Sequence, residues 1–312
     1  MKAAQLNKYG GTDAVQVTTD APQPVPLVGQ VLVEVYAAAL NPFDWKVRDG
    51  SYKDYFGVEF PATLGGDVAG VVAQVGEDVE GFEVGQTVLG QANAAGGQGS
   101  LAEFTPVKAE QLVPKPDAID FVMAAALPLA GVSAYQALVD HLALQAGQKI
   151  LIHGGAGGIG SLAVQIAKDI GAYIATTAGA ADVDFVKGLG ADEVIDFQHE
   201  DFSTLIKDYD AVFDTVGGET NTKSYMVLKP GGSLVSMLMP PNDELVRRYQ
   251  INYTQQSSKT TADRLIAVAE LAATGKLKVN VDKVFSLDEA PTALEYLKTG
   301  HPKGKVVIQV KE

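Results

Sequence analysis

The eight residues HGGAGGIG at 153–160 constrain this chain more than any other stretch. Gly155, Gly157 and Gly160 stand in the spacing G-x-G-x-x-G. That spacing alone is a weak signal, because glycine-rich turns are common, so its flanks decide what it means. Before it, 149–153 (KILIH) is a short apolar run of strand type. After it, Ile159, Leu162, Ile166 and Ile170 recur at intervals of three and four, with Lys168 in the last turn and Gly171 as a stop. Strand, glycine turn and amphipathic helix in that order predict the first βα unit of a dinucleotide-binding sheet. Gly155 permits the sharp turn, Gly157 lets a pyrophosphate approach the backbone, and Gly160 lets the helix pack closely on the strand. The helix N-terminus adds free N–H groups, so Ala156, Gly158 and Ile159 join the three glycines as the candidate cofactor-binding loop.

The rest of the chain changes rhythm on either side of this unit. From about residue 120, strand candidates at 149–153, 173–177, 193–196, 211–215 and 234–238 alternate with helical segments. The turn LKPGGS (228–233) leads into the fifth of these, and 250–254 is a possible sixth strand. Such alternation implies a doubly wound parallel sheet covered on both faces, an α/β fold. The first 120 residues are β-rich instead. Short Val-containing runs at 30–40, 67–75, 84–89 and 102–107 are punctuated by Pro22, Pro24, Pro26, Gly29 and Gly85, which suggests a small barrel or sandwich. The segment 92–100 (ANAAGGQGS) reads as an exposed, mobile loop. After a helix at 261–274, strands at 279–285 and 305–310 around a helical piece at 287–298 point back to the β-rich domain. The expected division is therefore 1–119 together with 263–312 as the β-rich domain, and 120–262 as the dinucleotide-binding domain.

Composition removes several functions. A formal net charge of −14 argues against nucleic acid and against anionic membranes as partners. The most apolar stretch, 122–139, is interrupted by Pro128, Gly131, Ser133 and Gln136 and reads as two buried helical pieces, with no membrane span. The start MKAAQLNKYG lacks the apolar core of a secretory signal, so a cytoplasmic location is expected. There are no cysteines, and the four histidines are His141, His153, His199 and His301, so the first 140 residues hold neither Cys nor His. Zinc draws chiefly on those two residue types, which argues against a zinc site in the β-rich domain. The second strand of the dinucleotide unit ends at Thr177, and no acid follows until Asp182. An acid at the strand end would hold a ribose 2′-hydroxyl and repel a 2′-phosphate, so its absence favours NADP(H) over NAD. Lys187 is the nearest base in sequence.

The segment NPFDWKVRDGSY (41–52) carries Asn41, Pro42, Asp44, Arg48, Gly50 and Tyr52 in an Asn-Pro-x-Asp pattern followed by Arg, Gly and Tyr. With ALPLAGVSAYQAL (126–138), the glycine loop, LGADEVIDF (189–197), FDTVGG (213–218) and HPKGKVVI (301–308), this resembles the medium-chain dehydrogenase/reductase superfamily, in its zinc-independent quinone oxidoreductase branch. The resemblance spans essentially the whole chain. It implies a GroES-like catalytic domain beside a Rossmann domain, and hydride transfer from nicotinamide to a quinone or to the β-carbon of an α,β-unsaturated carbonyl. It places Asn41 beside the nicotinamide, where the amide could donate to cofactor or substrate oxygen. It makes Tyr52 the leading candidate for hydrogen bonding to substrate and for proton donation. Ser133 falls where relatives often have Thr near the cofactor, and Phe197 where they often have Tyr near the adenosine, keeping a stacking face without the hydroxyl. Thr177 belongs to the cofactor set through its place at the strand end.

Zinc enzymes of the superfamily carry Gly-His-Glu where this chain has Gly66 and Asp67, within LGGDVAGVVAQVG (64–76). Asp67 is then expected to support the site structurally, with Arg48 or Tyr52 as possible partners. Asp44 and Arg48, four residues apart, are expected to pair on one helical turn. Lys305 could reach the site or lie at the surface, and His153 is expected behind the glycine loop. Relatives are often dimers, so a homodimer is expected, with 250–254 as a possible pairing edge. A second reading remains open, an NADPH-binding redox sensor or structural protein with little turnover.

Overall fold

The computed structural model describes residues 1–55 and 57–311. The chain forms two compact units, one of Met1–Leu129, Thr260–Thr274 and Val279–Glu312, the other of Ala130–Lys259 and Gly275–Lys278.

In the first unit the strand Gln30–Leu40 is the hub of a seven-stranded sheet. Val31, Val33 and Val35 enter the core, Leu32 is buried as well, Gln30, Glu34 and Tyr36 are part-exposed, and Ala37 to Leu40 are all buried. It pairs antiparallel with Asp67–Val75, with Phe104–Lys108 and with the C-terminal strand Lys305–Gln309. The chain thus closes on its own first third, as the β-like ending of the sequence implies. The strands Thr87–Gln91 and Leu112–Pro114 extend one edge, and Val281–Ser286 the other. A separate three-stranded sheet joins Val15–Thr18, Ala3–Leu6 and Ala62–Thr63. Leu6, Val33, Leu40, Leu64, Val68, Val88, Leu101, Leu294 and Ile308 form the core.

The segment 92–100 differs from its expected exposure. Ala92, Ala94 and Ser100 are buried, and an ideal Cβ on Gly99 would lie 2.2 Å from the Leu64 carbonyl oxygen. Glycine is needed there because two backbones run in contact, with Ser100 N–H donating to Gly65 O at 2.9 Å.

The second unit is a six-stranded sheet in the order Glu193–Asp196, Tyr173–Ala178, Lys149–Ile152, Tyr209–Asp214, Leu228–Ser236 and Asn252–Gln255, all parallel. Counted along the chain this is the 3-2-1-4-5-6 order of a dinucleotide-binding fold. The inner strands bury Ile150–Ile152, Ile174–Ala178, Ala211–Asp214 and Leu234–Ser236 because both faces are covered, whereas the edge strands Glu193–Asp196 and Asn252–Gln255 are only partly buried. The helix Gly158–Ile170 follows the first strand and ends at Gly171 with φ +90°, the left-handed stop its sequence predicts. One local expectation changes. LKPGGS is not a turn ahead of a strand; Leu228–Ser236 runs through it, and the partner register slips between Tyr209 and Ala211. The Gly231 N–H donates to Gln250 O at 2.8 Å, which anchors the irregularity. Among the described residues no helix is long and apolar enough to cross a membrane.

Candidate active site

Asn41 begins the site in the first unit. It ends the strand Gln30–Leu40 and starts the helix Pro42–Arg48, with Pro42 in the first turn, where a missing N–H costs nothing. Asp44 reaches back to accept the Asn41 N–H at 2.7 Å, closing a capping box. The Asn41 side-chain amide donates to Asp67 Oδ2 at 2.9 Å. The other Asp67 oxygen, Oδ1, accepts the Leu129 N–H at 2.9 Å. Lys305 completes the cluster: its ammonium donates to Leu40 O at 3.1 Å, to Asn41 Oδ1 at 2.5 Å and to Asp67 Oδ2 at 3.3 Å. All four side chains are buried, Asp67 completely.

Burial therefore governs the charges. Loss of solvent pushes the Asp44 carboxyl up to about 7; the Asp67 charge adds to the rise, and the Asn41 and Gly65 N–H groups oppose it. Burial also raises Asp67, against the Lys305 ammonium, the Asn41 amide and the Leu129 N–H. The cluster borders a cavity of about 320 Å³ whose wall includes Asn41, Phe43, Asp44, Gln91, Asn93 and Leu129. Tyr52 is half-buried, with its ring centroid 5.2 Å from that of Phe43. It is not among the described residues that line the cavity.

Two expectations for this region are corrected. Asp44 and Arg48 do not pair, although they share the helix. Asp44 is drawn inward by the two backbone N–H groups, while the fully buried Arg48 donates to Asp49 at 2.8 Å and to Glu295 at 3.0 Å. Arg48 is not the partner of Asp67; the charge partner of Asp67 is Lys305, which is buried and not at the surface.

In the second unit the loop after Lys149–Ile152 shows why its glycines stand where they do. A Cβ on Gly155 would lie 2.1 Å from Thr176 Oγ1, and one on Gly160 would lie 2.1 Å from Gly154 O. A Cβ on Gly157 would meet nothing closer than Gly154 O at 3.4 Å. Two glycines thus serve close packing, and the third leaves the loop surface bare. Gly157 caps the helix without a side chain, so the N–H groups at that end, from Gly158, Ile159 and Gly160, have no side-chain cap. Ala156 is half-buried on the same loop.

Behind the loop His153 is fully buried. Ser224 gives its hydroxyl hydrogen to Thr220 O at 2.7 Å, so it accepts from His153 Nε2–H at 2.9 Å. Thr177 Oγ1 accepts the Gly154 N–H at 3.1 Å and donates to His153 Nδ1 at 3.2 Å. The network selects the neutral Nε2–H tautomer. Burial pushes the imidazole down to about 4, with the Asp214 charge opposing. Thr177 thereby ties the second strand to the loop. Ser133, also buried, has its hydroxyl 2.7 Å from Ser258 Oγ.

Phe197 is 63 % exposed and lines a second cavity of about 460 Å³ with His153, Gly154, Thr177, His199, Val216 and Lys223. Lys223 is engaged there by Asp201 at 2.8 Å and Glu219 at 3.0 Å. Lys187 is exposed on the helix Val183–Gly188. Sequence reasoning did not single out Gln91 or Asn93 for the first cavity. The signal was available for Gln91, since it ends the Val-containing strand facing Asp67.

A 3-2-1-4-5-6 parallel sheet with this loop, in one chain with a β unit whose cavity is bordered by Asn41 and Asp44, defines a dinucleotide-dependent oxidoreductase. Family models agree: the alcohol dehydrogenase GroES-like domain matches residues 28–117, and the zinc-binding dehydrogenase model matches 189–308. The 2-methylene-furan-3-one reductase of Solanum lycopersicum is 37 % identical, over 99 % of this chain and 79 % of its own length. The chloroplastic NADPH-dependent alkenal/one oxidoreductase of Arabidopsis thaliana is 36 % identical, over 99 % and 79 %. The structure of the quinone oxidoreductase from Coxiella burnetii superposes with a TM-score of 0.92 at 34 % identity, covering 100 % of this chain and 99 % of that one. The chain belongs to the medium-chain dehydrogenase/reductase superfamily, in its quinone oxidoreductase-like branch.

Proposed function

We propose that the protein is an NADP(H)-dependent reductase that works without zinc on small quinones or α,β-unsaturated carbonyls. The observation that carries this reading is the wall of the first cavity. It presents the Asn41 amide within a cluster of one ammonium and two carboxyls, and no residue before His141 is a Cys or His. A donor set of this kind supplies hydrogen bonds and no Lewis acid. It suits substrates that spread the arriving negative charge over their own conjugated system, as quinones and enones do.

The residues fit a dinucleotide. The bare face at Gly157 and the helix N-terminus at 158–160 would hold the pyrophosphate. Ala156 and Thr177 would shape that loop, while Ser133 and Phe197 are the further cofactor candidates. When bound, the nicotinamide supplies the hydride. Asn41 orients the carboxamide or the substrate oxygen by donating an N–H, and Tyr52 hydrogen-bonds the substrate and donates a proton. The absence of an acid before Asp182 and the NADPH-dependent relative support NADP(H). A homodimer is supported by Asn252–Gln255, which is the last strand in its sheet.

The test mixes purified protein with NADPH and a panel of quinones and enones and follows loss of cofactor absorbance. Turnover of at least one panel member is expected, faster with NADPH than with NADH. No turnover on any member refutes the enzymatic reading, and an NADH preference refutes the cofactor assignment.

A further inference from the structure

We infer that Lys305 is a positioning residue: it fixes which edge of the Asn41 amide faces outward, so that a reacting oxygen meets an N–H and never the Asn41 carbonyl. The inference rests on the reading that Asn41 serves cofactor or substrate.

Lys305 heads the strand Lys305–Gln309, beside Leu40 and Asn41 at the end of the hub strand, and its side chain is 4 % exposed. An ammonium donates three hydrogens and accepts none. Three acceptors surround this one: Leu40 O, Asn41 Oδ1 and Asp67 Oδ2. The Asn41 atom 2.5 Å from Nζ must therefore be its oxygen. An ionised carboxylate accepts and cannot donate, so the Asn41 atom 2.9 Å from Asp67 Oδ2 must be its nitrogen. A flipped amide would set NH₂ against the ammonium and oxygen against the carboxylate, two repulsive contacts in a buried site. The ion pair thus polarises the amide in one sense. One Nδ2 hydrogen goes to Asp67, the second has no partner among the described residues, and Asn41 lines the cavity. A neutral side chain at 305 removes half of the constraint and loosens the amide, and neutralising Asp67 as well leaves the amide free to turn its oxygen outward.

Two variants and two readouts test this. Lys305→Met removes the ammonium but leaves Asp67 uncompensated, which by itself lowers stability. Lys305→Met/Asp67→Asn is neutral and close in shape. We expect kcat to fall about ten- to a hundred-fold in both, the scale of losing an orienting outer partner. The NADPH dissociation constant, read by nicotinamide fluorescence, should stay at the wild-type value. The melting temperature should recover in the double variant while kcat does not. The second readout needs no turnover: the side-chain amide signals of Asn41 in ¹⁵N-asparagine-labelled protein, identified by their loss in Asn41→Asp. They should shift and exchange faster with water in Lys305→Met. Wild-type kcat in the double variant, or unchanged Asn41 amide signals in Lys305→Met, overturns the inference. Wild-type protein that turns over no quinone or enone defeats the functional reading instead, and the amide signals still decide the role of Lys305.

Discussion

Alanine at each of the three motif glycines should produce three different defects. At Gly157 the backbone has φ −77°, which alanine adopts freely, and the nearest atom to a new Cβ is 3.4 Å away. Alanine is the poorer N-cap, at a cost of roughly 0.5 to 1 kcal/mol, but it restricts the unfolded chain by about 0.4 to 1 kcal/mol. These nearly cancel, so Gly157→Ala should melt within about 2 °C of wild type. The same methyl stands on the surface proposed for the pyrophosphate, and NADPH binding should weaken at least ten-fold, about 1.4 kcal/mol.

Gly160→Ala is the opposite case. Its Cβ would lie 2.1 Å from Gly154 O and 2.7 Å from Gly154 C, more than an ångström inside ordinary contact and against backbone that cannot rotate away. Helix and turn must separate, at the upper end of about 1 to 3 kcal/mol, and the melting temperature should drop by roughly 5 to 10 °C. Gly155→Ala meets a side chain, Thr176 Oγ1 at 2.1 Å, so its defect should be reparable. Thr176→Ala removes that oxygen and leaves only Thr176 Cβ, at 3.1 Å. Alone it loses the bond from Oγ1 to Ile152 O at 2.7 Å, worth about 1 kcal/mol. The double variant should therefore be more stable than the sum of the singles. Thermal melts and NADPH titrations of the five proteins decide the matter. Wild-type affinity in Gly157→Ala, or strict additivity of Gly155→Ala and Thr176→Ala, would refute the division of labour argued for the loop.

Further outcomes follow from the buried groups. Native Asp44 keeps its proton to about pH 7, whereas the unfolded chain loses it near 3.8, so stability should fall as pH rises through that window. Asp44→Asn should flatten this fall in a series of melts, and an unchanged profile would contradict the burial argument. His153 has the opposite sign: the native ring stays neutral down to about 4 while the unfolded one protonates near 6.5, so its contribution is lost as pH drops. Its imidazole signals should not titrate between about pH 5 and 8, and a midpoint near the ordinary value would disprove the assigned network. Arg48→Met should cost about 1 to 2 kcal/mol by urea unfolding, less than a fully buried pair because Glu295 is 40 % exposed. Tyr52→Phe should slow enone turnover with NADPH affinity retained, and an equal rate removes Tyr52 from proton donation.

What the sequence discloses of this molecule is what is local. The strands Gln30–Leu40 and Asp67–Val75 coincide with their Val-rich runs, Glu193–Asp196 has the bounds expected of it, and the helix after the glycine loop ends at the glycine that stops it. Ala3–Leu6 and Val15–Thr18 go unread because four residues are too few to show a period; their pairing with each other makes them strands. The Asp44–Arg48 expectation fails for a related reason. Helical spacing states which residues can meet on one surface, but both side chains are buried, and burial lets distant partners compete. Arg48 finds Glu295, 247 positions away, and Asp67 finds Lys305, 238 positions away. A Lys at the head of the Val-rich run KVVIQ looks locally like a solvated strand end. The clue lay elsewhere. Asp67 sits at the start of a strand whose neighbours are apolar, and a buried carboxylate there requires a cation from somewhere in the chain. Asking which basic residues stand in equally apolar company narrows the search to a few positions, among them Lys149 and Lys305, each at the head of an apolar strand. Asp67 and Lys305, which depart from their local pattern, are then the residues that hold Asn41 in the wall of the candidate site.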